Sequence, residues 1–187
     1  MTISTAAMLL SPLFLLLDAT NALAAPKYNA AGELIAPKDY REWVFLSSGV
    51  NMNYSETPIG MDHAMVDNVF VDPVSWQAFK KTGRWPEGTT FVKESRVGSS
   101  KGSINKSGIF QTEERFDLEV HVRDSKRFKT GWGFFIHEAD KPAKVLPANT
   151  SCYSCHITHG AVQTTFVQFY PTARPIAIKA GTFDRRK

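Results

Sequence analysis

Cysteine is nearly missing from this chain: 187 residues contain two, Cys152 and Cys155. A disulfide between them would close too small a loop to stabilise much. A zinc site needs about four protein ligands, or three with an open position. With no second Cys-x-x-Cys, His63, His121, His137 or His159 would have to complete it. Long apolar runs are scarce as well. The one candidate, "AAMLLSPLFLLLDATNALA", is short and broken by Ser11, Pro12 and Asp18, so it does not read as a stable transmembrane helix. Its last residues, Ala22-Leu23-Ala24, fit a leader-cleavage pattern. The expected organisation is therefore a signal peptide over 1–24 and a single mature domain over 25–187. No Lys or Arg precedes the apolar stretch, which departs from the usual leader and leaves the translation start open. Strong charge of one sign is also lacking. The 22 basic and 18 acidic residues leave +4, and the basic residues are interleaved with acids. That pattern reads as a solvated surface, so no nucleic-acid partner is expected. A mild positive excess would favour docking an acidic redox partner. The chain shows no internal repeat and no low-complexity segment.

What is present is concentrated near the C-terminus. Cys152-Tyr153-Ser154-Cys155-His156 has the Cys-x-x-Cys-His spacing of c-type haem attachment. Each thiol can add to one haem vinyl group, and the adjacent imidazole then lies close enough to coordinate iron. A thioredoxin-like redox pair would follow a strand and open a helix in a βαβ pattern. The preceding "KPAKVLPANT" reads instead as a Pro-rich loop. Haem attachment and an export leader fit together in bacteria, and they place the protein in the periplasm.

The mature region reads mostly as strands. "EWVFLSS", "AMVDNVFVD", "TTFVKESRV", "GIFQTEERFDLEVHVRD" and "GWGFFIHE" are rich in β-branched and aromatic residues. Phe116, Leu118, Val120 and Val122 alternate, which predicts one buried face, with Asp117, Glu119 and His121 on the other. "DPVSWQAFKKTG" reads as a helix with Asp72 as N-cap, Pro73 in the first turn and Gly83 just past the end. A second short helix is expected after His156. Hairpin turns fall at "GSSKGSINKSG", and "AGTFDRRK" reads as a frayed end. The fold class is α+β: an antiparallel β-sheet-dominated single domain with a few helices and a C-terminal haem-attachment motif. That excludes the all-helical small cytochrome c, whose haem motif lies near the N-terminus.

Taken together, "YREWVFL", "VFVDPVSWQAFKKTGRWPEGTTFVKE", "LEVHVRDSKRF", "GWGFF" and "CYSCHITHGAVQTTFVQFYP" resemble the cytochrome P-460 family, from about Lys38 to Pro171. Each segment is weak alone; their joint order carries the resemblance. It implies a periplasmic, usually homodimeric protein with one covalently held haem c and an open distal iron site. Some members oxidise hydroxylamine to nitrous or nitric oxide. Others, the c-prime-beta cytochromes, bind nitric oxide or similar gases without turnover. A simple electron carrier is a third reading. The partners implied are a small nitrogenous ligand and a periplasmic electron acceptor, with no stable membrane insertion after leader cleavage.

The resemblance also assigns roles. Cys152 and Cys155 would hold the haem and His156 would be its proximal ligand. Lys93 falls where family enzymes carry a lysine bonded to a haem meso carbon; a lysine buried beside an apolar ring is expected to lose its charge and become a nucleophile. Glu119 matches an acidic position facing the distal pocket, where it would take protons from substrate. Asp67 stands where a basic residue is expected in hydroxylamine-oxidising members, which places the substrate in question. Met52, Met61 and Met65 read as packing rather than axial ligands. Phe91, Phe134 and Phe135 read as core, and His159 as a surface residue.

Overall fold

The computed structural model describes residues 25–52 and 64–187. The expected leader, and also Met61 and His63, lie outside the described residues. Among the described residues five antiparallel strands form a single sheet in chain order: β1 (Val44–Val50), β2 (Met65–Val71), β3 (Thr90–Ser99), β4 (Phe110–Arg123) and β5 (Trp132–His137). All five lie where the β-branched and aromatic runs predict them. The helices are α1 (Pro73–Thr82), α2 (Ser151–His159) and α3 (Arg174–Lys179). No helix among the described residues is long and apolar enough to cross a membrane.

α1 forms between β2 and β3 for the reasons visible in its sequence. The Asp72 carboxylate accepts the Ser75 backbone N–H at 2.8 Å and the Thr90 N–H at 2.9 Å, so one side chain caps the helix and ties it to β3. At the other end Gly83 takes φ +66°, and a Cβ there would stand 2.5 Å from that of Ala180. Glycine is thus required twice over, by backbone conformation and by the approach of α3.

Alternation sends each strand's residues to two apolar layers. On one face Leu118, Val120, Val122, Val92, Phe70 and Phe135 pack under Leu34, Ala36, Tyr40 and Ala143. On the other, Val71, Phe91, Trp132 and Phe134 meet Phe79 of α1, Tyr153 of α2 and the C-terminal segment through Val167, Tyr170, Ala173 and Ala177. The face carrying Glu119 and His121 is therefore covered around Phe91, Trp132 and Phe134, while Lys93 and Glu119 keep 29% and 27% of their side chains exposed.

Three expectations are corrected. Phe116 is 70% exposed despite its alternation with Leu118. β5 pairs with β4 only from Leu118 onward, and the register of β3 with β4 shifts between Ser95 and Arg96, so Phe116 lies beyond the covered part of the sheet. The motif helix begins at Ser151 and contains His156 instead of following it. The tail is not frayed: Asp184 N–H donates to Ala161 O at 2.8 Å, Thr182 Oγ1 to Gly83 O at 2.7 Å, and Phe183 packs on the core. α3 was not foreseen; six residues give too little periodicity to read.

Beneath the first face, Glu94 is fully buried and accepts from Tyr40 Oη at 2.8 Å and Arg96 Nε at 2.8 Å, with Arg41 alongside. Burial alone would raise its pKa, but the hydrogen bonds from Arg96, Arg41 and Tyr40 outweigh that and hold it below the ordinary value. Glu94→Gln is expected to lower stability by about 3 kcal/mol, measured by urea unfolding. Because the folded pKa is depressed, this stabilisation is present above the unfolded glutamate pKa and is lost as pH falls through the folded value. The variant's stability should change less with pH across that acid window.

Candidate functional site

Helix α2 carries the motif and is anchored from its inner side. Tyr153 is buried, meets the Phe134 ring edge-on at 4.5 Å and donates from its hydroxyl to Leu146 O at 3.2 Å. With Tyr153 fixed inward, Cys152, Cys155 and His156 are half-buried, sharing the i, i+3, i+4 spacing of one helical side. Both cysteines are free thiols. The His156 ring lies among Phe134 (4.8 Å), Phe166 (4.3 Å) and His121 (4.9 Å, centroid to centroid).

His156 Nδ1 stands 2.8 Å from the Thr164 carbonyl oxygen. A carbonyl only accepts, so Nδ1 carries the hydrogen and Nε2 keeps its lone pair. Burial lowers the imidazole pKa, and the Thr164 carbonyl offsets this only in part, so the ring stays neutral. A neutral imidazole with its second nitrogen oriented by a hydrogen bond is the form that binds a metal.

Across from α2, the sheet presents a charged group. Lys93 on β3 pairs with Glu119 on β4 in the register of the sheet. The Lys93 Nζ lies 2.9 Å from Glu119 Oε1 and 3.8 Å from the carboxylate of Asp67 on β2. Ser95 donates to Asp67 at 2.5 Å. Burial pulls the Lys93 pKa down, but Glu119 and Asp67 together outweigh it and leave the pKa raised. The expectation that burial strips Lys93 of its charge is thus reversed, because two carboxylates share its face. Glu119 is raised too, by burial first, with Lys93 opposing.

His121 joins this group and was missed as a site residue. Its Nε2 lies 3.9 Å from Glu119 Oε2, and its ring is 4.3 Å from Phe134. Burial, with His156 and Lys93 adding to it, holds its pKa well below the ordinary value, so it is neutral and its contact with Glu119 is not an ion pair. The two-residue step from Glu119 was the signal that could have found it.

The face thus joins a free imidazole on α2 to a lysine, two carboxylates and a second histidine on the sheet. The chain matches the cytochrome P460 family over residues 37–167, most of its length. It belongs to that family. No curated protein matches the chain. Membership in the cytochrome P460 family implies a haem cofactor. The residues present fit that group: two free thiols and a neutral histidine on one side of α2, walled by Phe134, Phe166 and Tyr153.

The other readings of the motif find less support. Among the described residues no three His, Cys, Asp or Glu side chains are grouped to hold a metal ion. His137 lies on the opposite face with Nδ1 2.8 Å from Lys141 O, and His159 is exposed on α2. Met52 is exposed and Met65 is half-buried at the start of β2. Phe91 and Phe134 belong to the site-side core, whereas Phe135 packs on the far face.

Proposed function

We propose that this cytochrome P460 family member is a periplasmic, homodimeric monohaem protein that oxidises hydroxylamine to nitrous or nitric oxide. Cys152 and Cys155 hold the haem through thioethers, and His156 is the proximal ligand. The observation that carries the reading is the Lys93–Glu119 pair at 2.9 Å on the face opposite the motif helix. A carboxylate of raised pKa beside a lysine on this face supports a role in taking protons from an oxidised nitrogen. Haem, when bound, supplies the redox iron at which the substrate nitrogen gives up electrons, which leave for a periplasmic acceptor. The chain does the remainder. His156 is kept neutral and aimed by Thr164, Glu119 accepts substrate protons, and Lys93 lies next to Glu119 to pass charge or a proton to it.

A bond between Lys93 Nζ and a haem meso carbon would replace one N–H and the meso C–H, pass two electrons to an external oxidant of the peroxide class, and need the neutral amine. Glu119, at 2.9 Å, would have to take the ammonium proton against the raised Lys93 pKa. One observation favours a second reading, a gas-binding protein of the c-prime-beta type: Asp67 and Glu119 raise the Lys93 pKa, and an ammonium does not form that bond.

One measurement tests haem attachment, and a second separates the two readings. The mass of protein produced with cytochrome c maturation should include haem; a mature mass without it sinks the attachment. Lys93→Leu should lose a long-wavelength ferrous Soret band and hydroxylamine oxidation together. If the spectrum of that variant matches the parent, no cross-link exists and gas binding is the function. A high-spin ferric resonance at neutral pH is also expected; a purely low-spin signal would overturn the open iron site.

A further inference from the structure

The carbonyl that aims His156 belongs to an unusual turn. Val162 and Thr165 pair as an antiparallel bridge around Gln163 and Thr164, whose φ values are +47° and +63°. Two positive φ angles define a type I′ turn, which favours Asn and Gly. Glutamine and β-branched threonine adopt that backbone only when their surroundings impose it.

The imposing group is Trp85, in the loop between α1 and β3. Trp85 N–H donates to Gln163 Oε1 at 2.6 Å, and Gln163 Nε2 donates back to Trp85 O at 3.2 Å. Trp85 Nε1 donates to Thr165 Oγ1 at 3.0 Å, and that hydroxyl donates to Val162 O at 2.6 Å. The indole itself is 1% exposed, stacked on Phe79 at 3.8 Å and edge-on to Phe91 at 4.8 Å. Gly160 completes the arrangement, because a Cβ there would overlap the Thr164 backbone. A segment 78 residues away in sequence thus fixes the carbonyl that His156 sees.

We propose that Gln163, clamped to Trp85, is a positioning residue that holds the Thr164 carbonyl on His156 Nδ1 and so sets the strength of the iron–imidazole bond. The inference rests on His156 as the proximal ligand. A strong Nδ1–H···O=C bond makes the imidazole a better electron donor, which stabilises ferric over ferrous iron. Losing the clamp weakens that bond. The iron then becomes easier to reduce.

The test uses the haem-loaded full chain with Gln163→Gly and Gln163→Leu, read by midpoint potential and by the ferrous iron–imidazole stretching band. Glycine accepts positive φ, so Gln163→Gly removes the side-chain bonds without adding backbone strain. Both variants should move the potential positive and the band to lower frequency. Leu46→Ala, a cavity in the same apolar layer, should lower the melting temperature and leave both readouts in place. A His156→Gly variant whose spectrum is restored by added imidazole establishes the ligand independently. With that restoration seen, unchanged potential and band in both Gln163 variants overturn the clamp. An equal shift in Leu46→Ala overturns it too, since general softening would then explain the effect. If His156→Gly leaves the spectrum unaltered, the ligand assignment itself fails, and the clamp with it.

Discussion

Glu119→Gln is expected to slow hydroxylamine turnover by about 10²–10⁴-fold while leaving the Soret spectrum and substrate binding in place. The amide keeps the shape of the carboxylate and can still meet Lys93 across the strands, but it cannot take a proton. The pH dependence gives a second, independent signature. Burial raises the Glu119 pKa above the ordinary glutamate value, with Lys93 opposing but not cancelling the shift. A base works only when deprotonated, so the parent's rate should climb with pH through this raised pKa, above the range of a solvated glutamate. In the glutamine variant that acid limb should vanish. A retained limb would assign it to another group, and undiminished turnover would remove Glu119 as the base.

The other large effect concerns stability. Trp85→Ala should cost about 3–5 kcal/mol, because it deletes a fully buried indole from an aromatic stack between α1 and the sheet. For a domain of this size that lowers the melting temperature by roughly 10 °C, measurable by calorimetry. Trp85→Phe keeps most of the ring volume and loses the Nε1 bond to Thr165, so it should cost only about 1–2 kcal/mol. If the alanine variant melted within a degree of the parent, the stack would not be holding α1 to the sheet.

Much of this architecture is legible from local pattern. The five strands follow from alternation and β-branched content. α1 follows from Asp72, Pro73 and Gly83, whose capping roles depend only on neighbours in sequence. The helix that carries Cys152, Cys155 and His156 places them on one side, as their i, i+3, i+4 spacing requires. What escaped depends on partners distant in the chain. The tail is ordered because Ala161 and Gly83 accept its hydrogen bonds, and nothing in "AGTFDRRK" announces them. Phe116 has the right parity but lies past the reach of β5, a limit set by strand lengths and a register shift. The charge of Lys93 was misjudged for a related reason. Burial is foreseeable from a strand pattern, whereas the approach of Asp67 from a neighbouring strand is fixed only by cross-strand register.

The neighbours Lys93 and Glu94 face opposite layers of the sheet: one joins two carboxylates, the other two arginines. This makes the pair a parity check on the whole sheet. A one-residue deletion or insertion early in β3 would exchange the two side chains between layers. A deletion would put Glu94 in the Lys93 slot, against Asp67 and Glu119, and an insertion would put Lys93 in the Glu94 slot, against Arg41. Either change would set like charges together in one layer and take from the other layer the residue its charged partners need. Tolerated length changes should therefore come as even numbers of residues within β3 or fall in the 100–109 connection, outside the paired strands.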